Sequence, residues 1–136
     1  MSNVAQLLAR ARQQITRVDP SELPEAMARG ALVVDIRPEA QRAGEGQLGF
    51  GVIVERNVFE WRFDLDGPDC LPEVQSRDQQ VIVVCSEGYA SSLAAVVLRE
   101  LGYTAASDLV GGFRAWQALR NKEATASRER LAAAEA

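Results

Sequence analysis

Cys85 stands where a run of β-branched residues, Val81 to Val84, gives way to a short polar loop and then to a helix-periodic stretch from Ser91. A thiol is the strongest nucleophile on offer, in a chain with no histidine and only one other cysteine, Cys70. The lack of histidine excludes Ser-His-Asp and Cys-His catalysis, and almost every common zinc site with them. Something other than imidazole must activate the thiol. A loop leading from the carboxyl end of a parallel strand into a helix N-terminus can do so: its backbone N–H groups converge into an anion nest, helped by the positive end of the helix dipole. Such surroundings favour the thiolate, the attacking form. The competing reading is a small buried hydrophobe, the ordinary role of a lone cysteine ending an apolar run. Gly88 in mid-loop favours the nest, because glycine tolerates the positive φ that inward-pointing amides require.

The elements around the loop follow from periodicity. Val4, Leu7, Leu8, Ala11 and Ile15 recur at steps of three and four and predict an amphipathic helix, with Asn3 as N-cap and Gln6 reaching back. The stripe is expected to pack on the body of the protein, with a dimer contact as the alternative. Ser21 is expected to cap a helix running to Arg29, with Gly30 at its C-terminal stop. Ala31 to Ile36, Val52 to Val54, Val81 to Cys85 and Ala106 to Val110 read as strands. Residues 38–43 read as helical turns, Ser91 to Leu101 as the clearest helix with Gly102 at its end, and Phe113 to Leu119 as a closing helix after a Gly111-Gly112 turn. Phe59, Trp61 and Phe63 are expected to fill a core edge, in a short helix or strand. Strands alternating with helices imply a parallel sheet covered on both faces, the α/β class.

Composition narrows the function. A length of 136 residues with 47% hydrophobic and 25% charged residues suits a single domain with short extensions. A net charge of -4 disfavours nucleic acid as a partner, since phosphate binding needs clustered Lys and Arg. No apolar run approaches the roughly 20 residues of a membrane span, and no signal peptide is visible at the N-terminus, so a cytoplasmic protein with no membrane partner is expected. No cysteine or histidine cluster suggests a metal, and nothing suggests an organic cofactor.

Three segments together carry a resemblance: VVDIR at Val33 to Arg37, VIVVCSEGYASS at Val81 to Ser92, and LVGGFRAW at Leu109 to Trp116. In this order and spacing the chain resembles a single-domain rhodanese. The resemblance implies a three-layer α/β fold with a central, mostly parallel five-stranded sheet flanked by helices. Residues 17–120 would form that domain, 1–16 an N-terminal amphipathic helix and 121–136 a C-terminal tail, frayed for want of large apolar residues. It further implies a sulfurtransferase in which Cys85 takes sulfane sulfur from a donor such as thiosulfate, becomes a persulfide, and passes the sulfur to cyanide, a small thiol or a protein thiol. Ser86, Glu87, Gly88, Tyr89, Ala90 and Ser91 would hold the donor, largely through their amides, and Ser91 or Ser92 would cap the next helix. Asp35 and Arg37 would brace the loop; Gly111, Gly112 and Trp116 would serve turn and core.

The chain departs from the family where many active members carry basic loop residues, having Ser86, Ala90 and an added acid, Glu87. A carboxylate facing the thiol would oppose its ionisation and repel anionic donors, whereas one at the loop rim points into water, the expected position. The segment Gly44 to Val52 lacks the family's usual His and Pro, so no site residue is assigned there. Two other functions compete. A binding or persulfide-carrier module without turnover is consistent with the missing loop charge. A phosphatase or arsenate reductase is the weakest, because the sixth residue after Cys85 is Ser91 and not a phosphate-clamping arginine. Cys70 is read as an isolated cysteine in a turn-rich connection in preference to a resolving thiol for Cys85.

Overall fold

The structure, a computed structural model, describes residues 1–135. Five strands, β1 (Thr16–Val18), β2 (Leu32–Asp35), β3 (Val52–Ile53), β4 (Val81–Val84) and β5 (Ala106–Leu109), form one sheet in the order β1-β5-β4-β2-β3. Every pairing is parallel. The helices are α1 (Asn3–Gln13), α2 (Leu23–Ala28), α3 (Glu39–Glu45), α4 (Phe59–Arg62), α5 (Ala90–Glu100) and α6 (Gly112–Glu135).

The centre of the sheet is buried on both faces, which is why β4, and β2 up to its last residue Asp35, read as apolar runs. Side chains alternate across a strand, and that alternation sorts the core into two layers. Leu32, Val34, Val81, Val83 and Cys85 face α4 and α5, where Phe59, Phe63, Ala94, Ala95 and Leu98 meet them. Val33, Ile82, Val84 and Leu109 face Leu23 and Ala26 of α2 and Phe113 and Trp116 of α6. Cys85 thus follows β4 on the α5 side because it keeps the parity of Val81 and Val83. α1 lies outside α5 and leaves only Ala11 fully buried, with Val4 and Leu7 exposed.

Several local expectations are corrected. The cap of α1 is Ser2, whose hydroxyl accepts from the Ala5 N–H at 3.2 Å; Asn3 already lies inside the helix, and Gln6 donates to the Met1 carbonyl. Asp19, not Ser21, is the cap at the next turn. Asp19 accepts from the Ser21 N–H while Glu22 accepts from the Asp19 N–H, a capping box on the short turn Pro20–Glu22 that leads into α2. Trp61 is exposed: α4 is helical, so Phe59 and Phe63 share its inner face while Trp61, two residues from each, turns outward. The closing helix does not stop at Leu119 but continues to Glu135, its alanines and charges sustaining a solvated helix. β1 escaped notice because TRV is short and polar.

Tyr103 closes the α4 side of the core. Its hydroxyl donates to the Phe63 carbonyl at 2.8 Å, its ring meets Phe63 edge-on at 5.9 Å, and burial pushes its phenol up to about 12. Tyr103→Phe keeps the packing and removes the donor. It should cost about 1 kcal/mol, read as a lower midpoint in urea denaturation with an unchanged slope; an unaltered midpoint would contradict this role.

Candidate active site

The loop from Cys85 to Tyr89 joins β4 to α5, and the sulfur sits at its centre. Cys85 is only 7% exposed. Its Sγ accepts from the Gly88 N–H at 3.1 Å and the Ser91 N–H at 3.4 Å. Ser91 is the second residue of α5, whose first turn has no side-chain cap. The sulfur therefore takes the place an N-cap oxygen ordinarily fills, in line with the positive end of the helix. The expected cap by Ser91 or Ser92 is not formed, because both residues lie inside the helix and their hydroxyls point down to Asp108, at 2.8 and 2.7 Å.

Asp108 lies on β5 beneath α5, with its side chain wholly buried. It also binds Arg17 of β1, through Nε at 2.9 Å and Nη2 at 3.2 Å. Arg17 and Arg12 of α1 both donate to the Gly88 carbonyl, at 3.1 and 2.8 Å. Holding that carbonyl outward turns the Tyr89 N–H, on the same trans peptide, the opposite way. Gly88 has φ +87°, and a Cβ there would stand 2.8 Å from the Gly111 nitrogen, so the glycine is required twice over.

A second support holds the near side of the loop. Asp35 and Arg37 lie beneath the cleft and not in it. Arg37 is fully buried, pairs with Asp35 at 2.8 Å and Glu45 at 3.2 Å, and stacks on Phe113 at 4.0 Å. Glu45 and Gln41 of α3 lie 3.0 and 2.7 Å from the Ser86 hydroxyl, whose single proton serves one of them at a time. The first amides of α6 finish the job: Phe113 N–H donates to the Cys85 carbonyl at 2.8 Å and Arg114 N–H to that of Ser86 at 3.1 Å. This close approach needs Gly112, where a Cβ would fall 2.4 Å from the Cys85 carbonyl oxygen.

Above the sulfur lies an open cleft of about 250 Å³. Ser86, Glu87, Tyr89 and Ala90 line it beside Cys85, together with Gln41, Glu45 and Arg114. Gly88 and Ser91 contribute their amides from behind. Arg12, Arg17, Asp108, Gln41, Glu45 and Arg114 are the residues that sequence reasoning missed. A signal existed for Asp108, a carboxylate inside an otherwise buried strand, and for Arg114, a charge within the GGFRAW segment. Cys70 is half-buried; burial and the Asp64 carboxylate push its thiol up, against Arg62 and Arg77, which makes it a poor attacking group at neutral pH.

The family model for the rhodanese-like domain matches residues 19–119. The chain belongs to the rhodanese-like family. Among its relatives, the thiosulfate sulfurtransferase GlpE of Ectopseudomonas mendocina is 30% identical over 108 residues, spanning 77% of this chain and 87% of that one. The adenylyltransferase and sulfurtransferase UBA4 of Lodderomyces elongisporus is 31% identical over 106 residues, 77% of this chain. This chain spans only 23% of the length of that relative. Among solved structures, RPA3614 of Rhodopseudomonas palustris, described as a protein of unknown function and possible tyrosine phosphatase, superimposes with a TM-score of 0.77 at 24% identity, over 88% of this chain and 92% of that one. At that identity the likeness is one of fold alone.

Glu45 ties the Cys85 loop to Arg37 and to α6 at the cleft, through Ser86 and Arg114. Burial raises its carboxyl, but hydrogen bonds from Ser86, Arg37 and Arg114, with the Arg114 charge, outweigh burial and hold it below the usual glutamate range. A carboxyl lowered on folding stabilises the protein above its unfolded value, about 4.3, and loses that contribution as pH falls through the folded value. Glu45→Gln should therefore be less stable than the parent at pH 7, with the gap closing as pH falls past the ordinary glutamate range and through the lowered folded value. A gap that is constant across pH in urea melts would contradict the assignment.

Proposed function

We propose that the protein is a sulfurtransferase that carries sulfane sulfur on Cys85. The observation that supports this best is the sulfur's position as acceptor for the Gly88 and Ser91 amides at the start of α5. With thiosulfate, the Cys85 thiolate attacks the outer sulfur. A new S–S bond forms to Sγ, the old one breaks, and its electron pair leaves on sulfite. The loop amides then hold the terminal persulfide anion. Cyanide or a thiol attacks that outer sulfur next; cyanide leaves as thiocyanate, a thiol leaves as its hydropersulfide with its proton moved to the transferred sulfur, and in both cases Sγ recovers its electron pair. No step requires a base, because the thiolate is regenerated, and no metal or organic cofactor enters it.

In this reading residues 17–120, with Thr16 completing β1, are the catalytic unit, α1 within residues 1–16 holds the loop through Arg12, and the part of α6 beyond residue 120 is an appendage. Asp35 and Arg37 brace the loop through Glu45 and Ser86. Thiosulfate is the reference donor, and the acceptor is a small thiol, cyanide or a protein thiol reaching in beside Tyr89. Two free cysteines suit a reducing, cytoplasmic setting. No helix among the described residues is long and apolar enough to cross a membrane, and no membrane or nucleic acid has a role in the scheme. A second reading, a persulfide carrier without rapid turnover, is favoured by the carboxylates of Glu45 and Glu87 at the cleft. Phosphoryl transfer is disfavoured by Ser91, which occupies the clamp position and is bound to Asp108.

Incubation with thiosulfate, or with cysteine hydropersulfide, should add the mass of one sulfur atom to the intact protein. Cyanide should remove it, Cys70→Ser should retain it and Cys85→Ser should abolish it. Failure of both donors, or sulfur that persists in Cys85→Ser, would contradict the proposal; loading without multiple turnover would assign the carrier role. Hydrolysis of para-nitrophenyl phosphate would point to the phosphatase chemistry instead.

A further inference from the structure

The loop carries no basic residue, yet the cleft has an arginine: Arg114, brought from α6 and 60% exposed. It is not free. Its Nη2 pairs with Glu45 at 3.3 Å and its Nη1 with Glu87 at 2.8 Å. Beneath it Glu45 also binds Arg37, which in turn binds Asp35. The connected set Asp35, Arg37, Glu45, Arg114 and Glu87 holds three carboxylates against two guanidiniums, one net negative charge. The two glutamates are unequal partners. Glu45 is anchored by Arg37 and Ser86 as well as Arg114, whereas Glu87 is 48% exposed at the cleft mouth and, among the described residues, Arg114 is its one ion-pair partner.

An anion approaching Cys85 therefore meets a guanidinium already engaged on two sides, and a half-solvated carboxylate beside it. The amides below are uncharged dipoles that accept a thiolate or persulfide but cannot offset that field at the entrance. Like-charge opposition scales with the charge of the visitor, so a dianion suffers about twice what a monoanion does. Both effects turn on one side chain.

We propose that Glu87 selects the sulfur donor: by engaging Arg114 and placing a negative charge at the cleft mouth, it disfavours dianionic donors such as thiosulfate and admits hydropersulfides of small thiols carrying little net charge. The inference rests on the Cys85 persulfide reading and names its donor class. With a hydropersulfide, Sγ bonds to the terminal sulfur, the donor's S–S bond breaks, and the electron pair leaves on the donor thiolate, which takes up the proton of the transferred S–H. Arg114 is the latent anion-binding group, exposed when Glu87 is neutralised.

The test is the second-order rate constant for loading Cys85, read by quenched intact mass, with thiosulfate and with cysteine hydropersulfide. In the parent the hydropersulfide should load faster, and thiosulfate loading should rise with added NaCl as the repulsion is screened. Glu87→Gln should speed thiosulfate about ten-fold, the equivalent of about 1.4 kcal/mol, change the hydropersulfide rate less than about three-fold by the same conversion, and reverse the salt dependence. Arg114→Gln in the Glu87→Gln background should cancel the gain, with thermal melts showing that each variant is folded. Equal effects of Glu87→Gln on both donors, or a thiosulfate gain that survives loss of Arg114, would overturn the donor filter while leaving the persulfide reading intact. Loading from neither donor in the parent would remove both.

Discussion

A sulfur atom that accepts two backbone N–H groups, Gly88 at 3.1 Å and Ser91 at 3.4 Å, can hold them only if the five-residue loop between is fixed from outside. Loop amides have no rigidity of their own, and each residue of backbone freedom costs about 1–2 kcal/mol to freeze. Four separate elements meet that cost. Arg12 and Arg17 hold the Gly88 carbonyl from the α1 and β1 side, Glu45 and Gln41 hold Ser86 from α3, and the start of α6 donates to the carbonyls of Cys85 and Ser86. The hydroxyls of Ser91 and Ser92, tied to Asp108, keep the first turn of α5 pointing its amides at the sulfur.

Several of those supports rest on charged groups taken out of water, which is expensive. Asp108, Asp35 and Arg37 are all buried, yet no buried side-chain nitrogen or oxygen among the described residues lacks a hydrogen-bond partner. A buried pair of this kind adds little net stability, while losing one member leaves the other charge stranded at about 3–5 kcal/mol. The value of these networks lies in geometry. They fix one loop conformation in a core that would otherwise be the alternation of valines and leucines around β2 and β4, and they leave the cradle itself neutral, so that side-chain charge at the mouth can vary without dismantling it.

Four of the five strands were legible in the sequence: VVDI and VIVV, buried on both faces, point to a parallel sheet, and the shorter runs at Val52 and Ala106 mark β3 and β5; the loop and its cysteine followed from the carboxyl end of β4. β1 was not legible, because a three-residue edge strand with Thr16 exposed carries no hydrophobic period. The caps were misplaced by one or two residues because Ser2 and Asn3, or Asp19 and Ser21, are chemically interchangeable and only the backbone's entry into the helix decides between them. The supports of the cradle were hidden for a different reason: Arg17 meets Asp108 across 91 positions and Arg12 meets Gly88 across 76. Chain spacing carries no trace of such contacts. Arg114 stood in plain view within a recognised segment, but its neighbours gave no hint that α6 begins against the Cys85 loop.

In the proposed chemistry backbone amides do for the sulfur what a histidine or a cationic loop would otherwise do. The amide ¹H and ¹⁵N resonances of Gly88 and Ser91 report it directly. On conversion of Cys85 to its persulfide, both should shift as their N–H groups bond the new anion, and their exchange with solvent should slow. Conversion of Cys85 with both resonances unmoved would show that the transferred sulfur lies outside the cradle, and would contradict the account.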